Sequence, residues 1–198
     1  VITNYRLYPD AKLDDMLDDV VNALKWTHDH IGEMGGDPNR IFLAGHSAGG
    51  HLVALLGSDP ERLRKRGFDP KWLKGVVAVS GIYDIPANIQ MVEPDIRDGV
   101  MIPLFSKDEA QQLAASPIVH FDENMTPTLF MAGELDYKGV RHDFEQAELK
   151  LKPLVGDKAW FREVPGNTHE EMVLEMGTAE DEVGPAIAAF VKMIDSMP

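Results

Sequence analysis

The sequence predicts an α/β fold, a mostly parallel sheet with helices on both faces, in a single domain over residues 1–198. Short, almost wholly apolar runs alternate with longer segments in which apolar residues recur at helical spacing. Continuous apolar strands are typical of a parallel sheet, because helices cover both of its faces. Of the 198 residues, 44% are hydrophobic, which is enough to bury the core of one domain.

Five short apolar segments are the predicted strands. They are residues 1–7, 40–44, 75–80, 128–132 and 159–164. The predicted helices are residues 12–34, 51–56, 106–115, 141–151, 170–176 and 185–193. Aspartates in the early turns of the first helix suit the helix dipole, and Gly35-Gly36-Asp37-Pro38 ends it. Ser106 and Glu109 form a capping-box pattern, and Pro185 suits a first helical turn.

Residues 85–104 follow the 75–80 strand and form the one long irregular stretch, which contains three prolines. Together with the helix predicted to end at residue 115, they make up an insertion at about residues 85–115. Insertions of this kind at the carboxyl end of a strand often form a lid or a wall of a substrate site. We therefore expect a small lid-like insertion, and the alternative is a plain connecting loop.

The composition excludes several classes of site. A net charge of −14 without a basic patch argues against partners such as nucleic acid or an anionic membrane. The chain has no cysteine, which excludes disulfides, thiolate metal sites and a cysteine nucleophile. His28 and His30 are two residues apart and do not share a helix face, so we expect surface histidines and no metal site. The sequence shows neither an apolar run long enough to span a membrane nor a signal peptide, and we expect a cytoplasmic location.

The motif with the clearest chemistry is Gly45-His46-Ser47-Ala48-Gly49, which lies between an apolar strand and an apolar helix. Strand, Gly-x-Ser-x-Gly and helix together form the nucleophile-elbow arrangement. A serine on such a sharp turn sits in strained backbone, and the glycines at 45 and 49 are expected to remove Cβ atoms that would clash. The alternative is an ordinary Gly/Ser-rich loop.

A serine nucleophile needs a general base and an acid that orients the base, and these follow the elbow in chain order. Asp136 follows the 128–132 strand and His169 follows the 159–164 strand. The carboxyl ends of parallel strands meet at one edge of the sheet, so we expect Ser47, His169 and Asp136 to form a catalytic triad. Glu134 is the alternative acid. A serine-triad mechanism needs no cofactor, and we expect none.

The transition state of acyl transfer also needs hydrogen-bond donors for its oxyanion. The backbone N–H of Ala48 is the expected first donor. A second donor often comes from a His-Gly-Gly-Gly loop, and this sequence contains no such segment. We further expect His46, Tyr83 and Tyr137 to contact the substrate.

Several motifs in chain order together resemble the carboxylesterases of the alpha/beta-hydrolase fold. They are residues 4–9 (NYRLYP), 36–41 (GDPNRI), 45–50 (GHSAGG), 80–84 (SGIYD), 115–118 (ASPI), 127–129 (PTL) with 133–136 (GELD), and 165–169 (PGNTH). More narrowly, the motifs resemble the branch of hormone-sensitive-lipase-like, feruloyl-esterase-like and kynurenine-formamidase-like enzymes. The resemblance covers essentially the whole chain and implies hydrolysis of small esters without a cofactor.

The resemblance also implies a departure, because family members carry strands and the oxyanion loop ahead of the segment that matches residues 1–7. The shortened fold would leave an open slot beside the elbow strand. We expect residues 1–7 to pair with that strand, or a second copy of the chain to cover the edge as a homodimer or larger oligomer, since an open apolar edge invites association.

The leading functional hypothesis is a serine hydrolase that cleaves small carboxylic esters through an acyl-enzyme. Hydrolysis of aryl formamides by the same residues is the enzymatic alternative. The alternative from another class is a weakly active or inactive remnant that acts as an interaction module. A metallohydrolase is disfavoured, because His169-Glu170-Glu171 lacks a second histidine at the required spacing.

Overall fold

The computed structural model describes residues 1–197, apart from the side chain of Asp157. Within that range, four parallel strands form one sheet in the order β1-β2-β3-β4. They are β1 (Ile41–His46), β2 (Leu73–Val79), β3 (Thr128–Gly133) and β4 (Ala159–Val164). The expected fold class is confirmed, and four of the five predicted strands are present.

The helices fill the segments between and after these strands. They are α1 (Leu13–His30), α2 (Ala48–Ser58), α3 (Pro60–Lys65), α4 (Ile85–Met91), α5 (Pro94–Ile96), α6 (Ile102–Phe105), α7 (Glu109–Ala114), α8 (Pro117–His120), α9 (Lys138–Val155), α10 (Glu171–Leu174) and α11 (Val183–Asp195). Short 3-10 turns cover Ile31–Met34, Pro70–Trp72 and Gly156–Lys158, and a π turn covers Arg97–Met101.

The two faces of the sheet bury different helices. Successive side chains of a strand point to opposite faces, and the buried residues of β2 follow this rule. Val76 and Ala78 join one apolar cluster with α1, α2 and α9. Val77 and Val79 join a second cluster with Phe190 of α11. Helices therefore cover both faces, which explains why the central strands read as unbroken apolar runs.

Residues 1–7 do not form the strand that the sequence predicts. Instead of pairing with β1, the segment is hydrogen-bonded to α1. The Arg6 N–H and the Arg6 guanidinium both donate to the Asp19 carboxylate, at 2.9 and 2.8 Å. A side chain thus satisfies a backbone donor that a sheet ladder would otherwise use. Among the described residues, β1 pairs with β2 alone and is an edge strand. The expected pairing of residues 1–7 with β1 is therefore wrong.

The stretch 85–115 is more helical than the sequence suggests. Pro86 and Pro94 each lie in the first turn of a short helix, where a missing N–H removes no helical hydrogen bond. Pro103 is the second residue of α6, which continues directly from the π turn Arg97–Met101. These helices surround a small apolar cluster of their own, formed by Ile85, Ile89, Met101, Phe105 and Ala115. The cap of α7 also differs from the predicted capping box, since the Asp108 side chain accepts the Ala110 N–H at 2.9 Å.

A buried carboxylate joins α9 to the start of this stretch. Oδ2 of Asp143 accepts hydrogen bonds from the Tyr83 N–H, from the Asp84 N–H at 2.9 Å and from the Asn88 amide at 2.6 Å. Among the described residues, Asp143 Oδ1 has no hydrogen-bond partner. Burial disfavours the charged form and raises the pKa of Asp143 from 3.8 to about 7, although its backbone donors oppose the shift.

Asp143→Asn should therefore flatten the dependence of stability on pH. Between about pH 4 and 7, Asp143 is protonated in the folded protein and ionised in the unfolded chain. The stabilisation from this group is therefore complete below pH 4 and is lost as the pH rises to 7. The loss is on the order of 4 kcal/mol. Asparagine keeps one acceptor oxygen for the three donors and carries no charge. At pH 8 we expect Asp143→Asn to be at least as stable as wild type.

Urea unfolding from pH 4 to pH 8 measures this difference in the free energy of unfolding. Asp10→Asn is the matched control, because it removes the same formal charge at an exposed position. An Asp143→Asn protein that tracks the wild-type profile across the whole range would contradict the assignment.

Candidate active site

The elbow connects β1 directly to α2 and holds Ser47 in an unusual backbone conformation. Ser47 has φ 56° and ψ −118°, in a region that residues other than glycine rarely occupy. Its N–H donates to the Val79 carbonyl at 2.9 Å, and its own carbonyl accepts the His51 N–H at 3.1 Å. Hydrogen bonds from the neighbouring strand and from the helix thus fix the turn that presents the Ser47 side chain.

The glycines of the elbow differ in how much space surrounds their Cα atoms. A Cβ at Gly45 would lie 2.4 Å from the Gly49 carbonyl oxygen, so only glycine fits there. A Cβ at Gly49 would meet nothing within 4 Å, which corrects the expectation that Gly49 avoids a clash. The second essential glycine is Gly50, whose Cβ would lie 2.7 Å from the Val79 carbonyl oxygen and 2.9 Å from Gly81. It is there that α2 packs closely against the end of β2.

The three side chains that the sequence predicts as nucleophile, base and acid lie in one hydrogen-bonded row. Ser47 Oγ is 2.8 Å from His169 Nε2. His169 Nδ1 is 2.7 Å from Asp136 Oδ1. Asp136 and His169 are buried, and Ser47 opens into a cavity. With a proton on Nδ1 donated to Asp136, Nε2 is free to accept the Ser47 hydroxyl proton, which is the arrangement that activates a serine.

Asp136 is held at both of its oxygens. Oδ1 accepts the Tyr137 N–H at 2.8 Å in addition to His169, and Oδ2 accepts the Ser80 hydroxyl at 2.6 Å. Burial opposes the charged form of Asp136. The hydrogen bonds from His169, Ser80 and the Tyr137 N–H outweigh that effect and hold the pKa of Asp136 below its usual value. The carboxylate is therefore ionised at neutral pH.

Two aromatic rings flank His169. The rings of His46 and Tyr137 each lie 4.6 Å from its imidazole, centroid to centroid. His46 Nε2 donates to the backbone carbonyl of His169 at 2.9 Å, and the Tyr137 hydroxyl donates to Glu170 at 2.7 Å. Burial, together with the neighbouring His169, lowers the pKa of His46, so His46 is neutral at pH 7. Both rings thus pack against the imidazole of His169.

A cavity of about 710 Å³ opens beside Ser47. Its walls are mainly apolar and come from α1, α2 and the stretch 85–115. They include Met16, Leu52, Ile82, Met101, Leu104 and Phe105. Ala48, the first residue of α2, also lines the cavity, and its N–H belongs to the first helical turn, where donors have no partner within the helix.

The cavity includes one of the three residues expected to contact substrate. Tyr137 lines it, and 58% of that residue is exposed. His46 does not line the cavity and contacts His169 instead. Tyr83 is 1% exposed and packs against Phe130, with ring centroids 5.2 Å apart. The expectation for Tyr83 is corrected, because its side chain belongs to the core between the sheet and α9.

The geometry of the described residues supports neither Glu134 as the alternative acid nor a metal site. Glu134 is exposed and accepts the Gly166 N–H at 2.9 Å, away from the imidazole. No group of three or more possible metal ligands occurs among residues 1–197. In the same range, none of the helices has both the length and the apolar character that a membrane span needs.

Sequence reasoning missed Ser80, whose hydroxyl donates a hydrogen bond to Asp136. The sequence shows it only as the residue at which the apolar 75–80 run ends. The signal that could have revealed it is its position, because the carboxyl end of β2 lies between the ends of β1 and β3 in the sheet.

Gly45→Ala and Gly49→Ala should have different effects on stability, although both glycines belong to one motif. We expect Gly45→Ala to lower the free energy of unfolding by about 1–3 kcal/mol, because the backbone must move to admit the Cβ. Gly49→Ala should leave stability unchanged or raise it by up to about 1 kcal/mol, since alanine favours a helix. Chemical denaturation of the pair measures this contrast, and equal losses in both variants would contradict it.

Comparison with known proteins identifies the fold family. A family model described as alpha/beta hydrolase fold matches residues 1–173. The probable carboxylic ester hydrolase LipM of Mycobacterium tuberculosis (strain ATCC 25618 / H37Rv) is 33% identical over 148 residues, which cover 69% of this chain and 33% of LipM. Esterase LipU of the same organism is 28% identical over 189 residues, which cover 87% of this chain and 59% of LipU.

Solved structures show the same fold. A hyperthermophilic esterase from the archaeon Pyrobaculum calidifontis has a TM-score of 0.73 and 24% identity, covering 98% of this chain and 65% of that one. A truncated form of a carbohydrate esterase from gut microbiota has a TM-score of 0.76 and 20% identity, covering 98% of this chain and 73% of that one. The match of the family model to most of the chain, with the Ser47 elbow inside it, shows that this protein belongs to the alpha/beta-hydrolase fold family.

Proposed function

We propose that this chain is a serine hydrolase that cleaves small carboxylic esters through an acyl-enzyme. The observation that carries the proposal is the row of Ser47, His169 and Asp136, joined at 2.8 and 2.7 Å, beside an apolar cavity. The names of LipM and LipU, a probable carboxylic ester hydrolase and an esterase, support it. This chain spans 33% of the length of LipM and 59% of LipU, so the activity of a whole relative is not carried over to it.

In the first half of the reaction, Ser47 Oγ attacks the ester carbonyl carbon while His169 Nε2 takes the hydroxyl proton. The carbonyl oxygen becomes an oxyanion, and the Ala48 N–H is the donor proposed to stabilise it. Collapse of this intermediate breaks the bond to the alcohol oxygen, which leaves with the proton from His169. The acyl group stays on Ser47.

In the second half, a water molecule takes the place of the alcohol. His169 accepts a proton from the water as its oxygen attacks the acyl carbon, and the carboxylic acid leaves as the proton returns to Ser47 Oγ. Asp136 remains ionised through both halves. Its negative charge stabilises the imidazolium that forms twice, and its hydrogen bond keeps the Nδ1 proton in place.

The cavity-lining residues between 82 and 105 are the proposed substrate wall, and Tyr137 also lines the cavity. Most of these side chains are apolar, which favours an ester whose acyl or alcohol part is a hydrocarbon group. His46 supports His169 in this scheme and does not touch the substrate. The second oxyanion donor stays unassigned, and loss of one donor typically slows such an enzyme by about 10²–10³.

A second copy of the chain along the free edge of β1 stays a prediction. The middle of that strand is only partly buried at Phe42 and Leu43. A groove of about 570 Å³ runs beside it, lined in part by Val1, Ile2 and Ile31. The oligomeric mass of the assayed sample tests this prediction. The expected cytoplasmic location also stays a prediction.

Ser47→Ala tests the proposed function directly. We expect wild type to hydrolyse p-nitrophenyl acetate and butyrate, and the variant to lose at least about 10³-fold in kcat/KM, because no other group supplies the nucleophile. A fluorophosphonate probe should label wild type at Ser47 and leave Ser47→Ala unlabelled.

Two results would count against the proposal. Equal rates for both proteins with no labelling would indicate a hydrolase fold that serves as an interaction module. Hydrolysis of formanilide in strong preference to the esters, lost in Ser47→Ala, would favour the aryl-formamide alternative.

A further inference from the structure

Ser80, at the carboxyl end of β2, combines complete burial with an unfavourable backbone conformation. Its relative exposure is 0%, and its φ is +50°, in the left-handed region that favours glycine. Among the described residues, the non-glycine positions with positive φ are all serines, Ser47, Ser80 and Ser106. Ser47 is the proposed nucleophile and Ser106 lies in a loop after α6. Ser80 is neither in a loop between helices nor the nucleophile, yet it is fully buried with a positive φ.

The backbone of Ser80 does not require a side chain. Its N–H donates to the Met131 carbonyl at 2.8 Å and continues the hydrogen bonding between β2 and β3. Glycine would make the same bond and would adopt this φ without strain. A serine at a position where glycine would be unstrained therefore indicates a role for the hydroxyl.

The hydroxyl has one hydrogen-bond acceptor, Asp136. Ser80 Oγ donates to Asp136 Oδ2 at 2.6 Å, while the other oxygen of that carboxylate serves His169 and the Tyr137 N–H. Because an ionised carboxylate only accepts hydrogen bonds, the shared proton must belong to Ser80. The bond thus favours the charged form of Asp136 and prevents the carboxylate from rotating.

We propose that Ser80 is a positioning residue for the acid of the triad: it fixes the Asp136 carboxylate and keeps it ionised, so that Asp136 can hold the His169 Nδ1 proton. The inference rests on the proposed function, since only catalysis by His169 gives this bond a kinetic consequence. Ser80 acts through Asp136 and takes no part in bond making or breaking.

Ser80→Gly separates this role from a structural one, because it removes the hydroxyl and also relieves the backbone. We expect stability equal to or above wild type, a kcat about 10- to 100-fold lower for p-nitrophenyl butyrate, and an unchanged KM. The acid limb of the kcat/KM profile should move to higher pH, because Asp136 loses a hydrogen bond that favours its charged form.

Ser106→Gly is the matched control. Ser106 also has a positive φ, of 76°, but it does not line the cavity and its hydroxyl accepts the Asp108 N–H at 3.2 Å. We expect Ser106→Gly to keep wild-type kinetics and the wild-type pH profile. A Ser80→Gly enzyme with wild-type kinetics at every pH would overturn the proposal. So would a variant that is slower only because it is less stable, with its acid limb unmoved.

The downfield proton signal of His169 Nδ1–H gives a measurement that needs no turnover. In Ser80→Gly this signal should broaden, because the Asp136 carboxylate can turn, while Ser106→Gly should keep the wild-type line. If wild type neither hydrolyses esters nor labels with fluorophosphonate, the proposed function fails, and the NMR comparison still decides whether Ser80 holds Asp136. An unchanged signal in Ser80→Gly would then overturn the inference.

Discussion

The parallel register of the sheet is the constraint on which the site depends. His46 pairs with Val79, and Val79 pairs with Met131, so β1 and β2 end level with each other and β3 runs two residues further, to Gly133. Each strand is followed at once by a turn that carries a polar side chain toward the same edge. A shift of one residue in any strand would reverse the faces of its side chains and move its turn by more than 3 Å. Hydrogen bonds of 2.6–2.8 Å between these turns would not survive such a shift.

Backbone strain at two of these strand ends has a common cause. Ser47 and Ser80 both have positive φ, and each N–H donates to a carbonyl of the next strand, Val79 and Met131. The sheet ladder therefore continues through both residues while the chain turns away sharply. Surrounding structure must over-determine such conformations for them to persist, and here the close contact between Gly50 and Gly81 keeps the two turns together.

Sequence reasoning succeeded where a single physical requirement determines the residue pattern. Buried parallel strands must be apolar throughout, and a serine elbow needs its strand, turn and helix, so β1 to β4 and the positions of Ser47, Asp136 and His169 could be predicted. It failed where several structures satisfy the same pattern. Residues 1–7 suit a strand, but the Arg6 bonds to Asp19 satisfy the segment without a sheet. The prolines of residues 85–104 suit a loop, but two of them, Pro86 and Pro94, equally suit the first turn of a helix.

The remaining misses concern side chains whose neighbours lie far away in sequence. Tyr83 follows a strand end, as a substrate-binding residue would, but the Asp143 carboxylate accepts its N–H and its ring packs into the core. Ser80 and Asp136 are 56 residues apart, and no local pattern joins them. Both pairs link the end of β2 to the chain that follows β3, at Asp136 in the turn and at Asp143 inside α9. The acid of the triad is thus held from β2 as well as from its own strand, so the geometry of the site depends on how β2 and β3 pack together.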